Sequence, residues 1–139
     1  MKLSPELSRK LTNEFRYCAE KMSKERDFRR KLFLYSNLGD TVSSVLDFEY
    51  DSQLVFIVLL LDVSYSTIAS RVETIIDKKD TSVELIPGLF DKLCGYLDDL
   101  AAIIEANQDT YKTLEKLAEL ATTTTERGYY LYTKGSLKI

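Results

Sequence analysis

In the stretch QLVFIVLLLDVSYS, the carboxylate of Asp62 follows eight unbroken apolar residues, Leu54 to Leu61. If the preceding helix folds back antiparallel, Asp40 comes level with it, and two facing carboxylates can hold a cation or share a proton. Di-metal helical bundles, however, use several carboxylates together with Glu-x-x-His elements. This chain contains no histidine, and it has no comparable glutamate pair. On a helical wheel Asp62 falls between two apolar faces, so it is expected to be a structural group bonded to a hydroxyl such as Ser36, Ser43 or Ser66. Leaving a buried carboxylate unpaired would cost on the order of several kcal/mol.

The second group with possible chemistry is the basic run from Lys24 to Lys31, KERDFRRK. Arg26, Arg29, Arg30 and Lys31 could grip phosphates and make the chain a helical nucleic-acid-binding subunit. The competing reading is the solvated start of a helix, with Glu25 and Asp27 offsetting part of the charge and Phe28 turned inward. The second reading is preferred because the whole chain carries a net charge of −3, whereas nucleic-acid binders present a clearly basic face. A helix-turn-helix around Gly39 is rejected: its recognition helix, TVSSVLDFEY, would bring two acids and no base to the groove.

Nucleophilic catalysis has little to draw on. No serine, threonine or cysteine has a histidine to activate it, and neither S-x-x-K nor G-x-S-x-G occurs. The five glycines are scattered, without G-x-G-x-x-G or a P-loop. Cys18 and Cys94 form no C-x-x-C and are expected to be two buried thiols in a reducing compartment. The chain is therefore expected to be neither an enzyme nor a holder of a cofactor or metal. A carboxylate-metal enzyme around Asp40 and Asp62 stands as the outside alternative.

The elements that must position these groups are helical. Apolar residues recur at spacings of three and four through nearly the whole chain. Leu3, Leu7, Leu11, Phe15, Cys18 and Met22 predict a first helix over about residues 5–24, with Ser4 as N-cap and Pro5 at its first position. Phe28, Leu32, Tyr35, Gly39, Val42 and Leu46 predict a second, continuous across a weak point at Gly39. A short connection over 47–51 makes the second and third helices an antiparallel hairpin, with Asp51 or Ser52 as the third helix's cap.

The third helix, about residues 52–78, carries most of the functional expectation. Leu54, Ile57, Val58, Leu61, Tyr65, Ile68, Val72, Ile75 and Ile76 form its main stripe. Val55, Phe56, Leu59, Leu60 and Val63 cover the other side of its first half. A helix that is apolar all round is surrounded, so this half is either a central element or a subunit interface. A longer connection over 78–86 leads to a fourth helix opening at Pro87, with Phe90, Leu93, Cys94, Leu97, Ala101 and Ile104 inward. A fifth helix is expected from about Tyr111 to Lys134, with a small hairpin turning at Lys134-Gly135 as the alternative for its end. Its end holds Tyr129, Tyr130 and Tyr132, large amphipathic groups suited to a protein interface.

A length of 139 residues fits one domain with a core that needs no staples. Charges interrupt any secretory h-region near the N-terminus, and the run Leu54–Leu61 is less than half of the roughly 20 residues a spanning helix needs. Charge is uneven: residues 1–31 hold ten Lys/Arg against five Asp/Glu, and residues 32–139 hold nine against seventeen. That asymmetry implies pairing within the fold or an oriented partner. The expectation is an all-α, single-domain bundle of about five helices over residues 1–139, with the antiparallel hairpin of helices two and three at its centre. Its expected role is a cytoplasmic, non-catalytic assembly subunit, a homodimer or part of a larger complex, with no membrane contact.

Overall fold

The computed structural model describes residues 2–77 and 86–106, apart from the side chains of residues 63, 67, 71, 74–77, 86, 87 and 89. Four helices account for nearly all of them: α1 (Pro5–Lys24), α2 (Phe28–Val45), α3 (Ser52–Asp77) and α4 (Ile86–Glu105). The fold is all-α. The fifth expected helix lies outside the described residues, as do Tyr129, Tyr130 and Tyr132.

Each helix starts where side-chain chemistry can satisfy its orphan N–H groups. The Ser4 hydroxyl accepts from the Leu7 N–H, with Pro5 at the first turn of α1. Asp27 accepts from the Arg29 and Arg30 N–H groups at the start of α2. Asp51, not Ser52, caps α3, accepting from Gln53 and Leu54. Helix α4 begins one residue before Pro87, whose missing N–H costs nothing in a first turn. Gly39 and Asp40 do not interrupt α2, which runs through both as one helix.

Three antiparallel packings build the core. The connection at residues 25–27 folds α2 back along α1, bringing the Cys18 thiol to the Leu34 carbonyl. Helix α3 returns along α2: Glu73 meets Arg29, Ser64 meets Tyr35, and Asp62 lies level with Gly39. Helix α4 runs against α1, placing Ile104 at Ser8 and Ala101 at Thr12. The hairpin of α2 and α3 is present; among the described residues α2 has extensive neighbours on two sides, α1 and α3, and so does α1, with α4 and α2. For α1 the reason is a face wider than its apolar stripe. Ser8, Thr12 and Ala19 are buried beside Leu11, Phe15, Cys18 and Met22, and these small side chains let α4 approach closely. The two hydroxyls are not stranded, because each donates to a backbone carbonyl.

The interior is continuous from Leu3 through Phe15, Tyr35, Leu54, Ile57, Leu61, Ile68, Phe90, Leu97 and Ile104. Burying one such side chain contributes about 1.5–3 kcal/mol, so this core needs no cross-link; both cysteines are free.

Candidate interaction surface

Helix α3 is not enclosed. Its inner face, Leu54, Ile57, Leu61, Ser64, Ile68 and Val72, is buried. On the other side Phe56 and Leu59 are each 54% exposed, and Val55 and Leu60 are half-buried. The central-element expectation for residues 54–63 is thereby corrected: α2 covers one side of α3, and no described helix covers the other. The side chain of Val63, the remaining member of the expected set, lies outside the described residues. Over Ser52–Ser70 the helix is long and apolar enough to cross a membrane on length and composition alone. The expectation that no stretch reaches that length counted only the unbroken run. The same stretch carries the inner face just described and a buried hydroxyl pair, Tyr35 with Ser64.

Asp62 is exposed. It accepts no hydrogen bond among the described residues, so the expected hydroxyl partner is not found there. Its Oδ1 lies 3.8 Å from where a Cβ on Gly39 would stand, which confirms the expected level of the two helices. Asp40 is exposed as well. Among the described residues no group of three or more Cys, Asp or Glu is placed to hold a metal ion.

The basic run is divided by the fold. Arg29 grips Glu73 with both arms of its guanidinium, at 2.8 and 2.9 Å, and these hydrogen bonds, with a smaller contribution from the Arg29 charge, hold the Glu73 carboxyl below the usual range. Lys31 is only 7% exposed, and its ammonium stands 5.3 Å from the centre of the Phe90 ring, which stacks on Phe28. Arg26 and Arg30 alone of the four are exposed without a side-chain partner among the described residues. The intramolecular pairing suggested by the charge asymmetry is thus realised at Arg29 but not along the whole run.

The thiols are insulated. Burial, with smaller contributions from Cys94 and Glu14, pushes the Cys18 thiol up to about 12. Burial also raises Cys94, and the nearby Lys31 charge only partly offsets it. Cys94 is half-buried rather than buried. Neither sulfur is poised as a thiolate, the form that attacks. A concavity of about 340 Å³ lies beside α1 and the end of α4, lined by Pro5, Ser8, Arg9, Thr12, Asn13 and Glu105. Ser8 and Thr12 are already committed to carbonyls, and Glu105 to Arg16. Few free polar groups converge on it.

Two exposed aromatics were missed in the sequence, and they stand out most in the structure. Phe48 is 85% exposed and Tyr50 77%, both in the connection between α2 and α3. The signal was present in DFEYD, residues 47–51: aromatics alternating with acids in so short a turn have no route to the core.

Compared with protein-family models, curated proteins and solved structures, the chain matches none.

Proposed function

We propose that this chain is a non-catalytic, cytoplasmic assembly subunit that associates with a second copy through the outer face of α3, formed by Val55, Phe56, Leu59 and Leu60 with Val63 continuing the row. The observation that carries this reading is the exposure of Phe56 and Leu59, 54% each, on a helix whose opposite face is fully committed to the core. Phe56, Leu59 and Val63 follow the alternating spacing of three and four that seats one helix against another, and Ser52, Ser66 and Ser70 extend the same row with small polar side chains. Covering large apolar side chains of this kind contributes about 25 cal/mol per Å² removed from water, against which the entropic cost of association is set.

Analytical ultracentrifugation tests the proposal. The wild type is expected to dimerise reversibly, and F56E/L59E to sediment as a folded monomer. Wild-type protein that stays monomeric at all concentrations up to about 1 mM, on the order of a very weak complex, overturns the reading. So does wild-type protein that floats with lipid vesicles through the same face.

A further inference from the structure

Phe48 and Tyr50 are the most exposed large apolar side chains among the described residues, and the turn that carries them is firmly held. The N–H groups of Phe48 and Glu49 both bond the Val45 carbonyl, and that of Asp47 bonds Ser44. Glu49 accepts from the Ser4 N–H at 3.0 Å, and Asp51 accepts from the Lys2 N–H at 2.9 Å while capping α3. The aromatics therefore project from an ordered frame, and binding them requires little further ordering of backbone. Asp47 is exposed beside them and has no side-chain partner among the described residues.

At the other end of α2 stands a surface of opposite character. Glu25 and Asp27 spend their carboxylates on backbone N–H groups, and Glu20 spends its own on Lys24. That leaves Arg26 and Arg30 as guanidinium groups without a side-chain partner among the described residues. Helix α2 has 18 residues, and at 1.5 Å per residue it separates the two ends by about 27 Å. The two surfaces therefore have no means of meeting within one chain.

We infer that the α2–α3 turn docks head-to-tail on the α1–α2 turn of a second copy, Phe48 and Tyr50 taking the guanidinium faces of Arg26 and Arg30 while Asp47 pairs with their charge. Arginine over an aromatic ring with a carboxylate alongside satisfies both the ring quadrupole and the ion pair. Both halves of the contact reside in one sequence, and among the described residues neither has a side-chain partner. Such a contact is heterologous: every added copy leaves one end of each kind open, so it propagates into chains or closes into rings. It involves none of the α3 outer face and stands independently of the dimer proposed above.

Sedimentation velocity of the full chain tests this at about 30 and 500 mM salt, which span Debye lengths from about 18 Å to about 4 Å. Growth beyond a dimer is expected at low salt, weakening at least tenfold at high salt, and persisting in F56E/L59E. R26E/R30E and D47K/F48A/Y50A should each lose that growth while keeping wild-type circular dichroism. With F56E/L59E added to both, so that α3 pairing is removed, each retains one working end, and an equimolar mixture should form a single two-chain complex that does not grow. Absence of salt-sensitive growth in the wild type overturns the inference, as does growth in either variant alone or a mixture whose components sediment separately. None of these results bears on the α3 face, which F56E/L59E reports separately.

Discussion

The hydroxyl of Tyr35 on α2 and that of Ser64 on α3 meet at 2.5 Å inside the core, and Ser64 Oγ also lies 3.0 Å from the Leu61 carbonyl. A serine has one proton to give. If it goes to Leu61, Tyr35 is the donor to Ser64, and the hairpin is locked by a relay of two bonds. Burial, opposed only in part by the Ser64 bond, raises the Tyr35 phenol above its ordinary range. Urea unfolding of Tyr35→Phe should show a loss of about 1 kcal/mol, and Ser64→Ala about 1–3 kcal/mol because it strands a buried hydroxyl. The double variant should lose less than the sum. Strict additivity would show that the two hydroxyls are not coupled.

Ser8 provides a comparable lock between α1 and α4. Its hydroxyl donates to the Ile104 carbonyl, one of the last four of α4, which have no partner within the helix. Ser8→Ala should therefore destabilise the chain by about 1 kcal/mol, and amide exchange should accelerate in the last turn of α4 before it changes in α2. Equal acceleration in all helices would assign the loss to global unfolding instead.

Two glycines sit within helices without a steric reason. A Cβ on Gly95 meets nothing within 4 Å, and one on Gly39 meets only Asp62 Oδ1 at ordinary contact distance. Gly95→Ala should stabilise the fold by about 0.8–1.0 kcal/mol, the helix-propensity difference. Gly39→Ala should gain no more than that, since its methyl crowds water around the Asp62 carboxylate. Thermal melts decide the matter, and a lower Tm for Gly95→Ala would contradict the open space beside it.

The Cys18 thiol sits at about 12, above the 9.0 of an unperturbed thiol. The folded state thus holds a proton that the unfolded state releases as the pH passes about 9. This contribution to stability is complete below pH 9 and declines as the pH rises toward 12. Melting temperature measured from pH 8 to 11 should fall more steeply for the wild type than for Cys18→Ala. Identical slopes would place the alkaline sensitivity elsewhere, for which the buried Tyr35 phenol is the next group.

The helices were legible in the sequence because their signals are local. Ser4 with Pro5, Asp51 before Leu54, and the spacing of Phe90, Leu93 and Leu97 each act within a turn or two of chain. The level of Asp62 with Gly39 was legible too, since a short connection leaves an antiparallel hairpin little freedom of register. The interaction surface was read only in outline. Doubly apolar character marked Val55, Phe56, Leu59 and Leu60, yet a helix enclosed by its own chain and one left bare have the same composition.

Tertiary structure alone decided which side of α3 is covered, that Arg29 is bound to Glu73, 44 residues away, and that Lys31 turns in over Phe90. Each depends on which helix lies alongside which. For α1 and α4, for example, the small buried edge of Ser8, Thr12 and Ala19 permits close approach and bonding to the Ile104 and Ala101 carbonyls. Periodicity fixes the face a helix would bury; the partner that buries it is set by shape and by the hydrogen bonds available at contact.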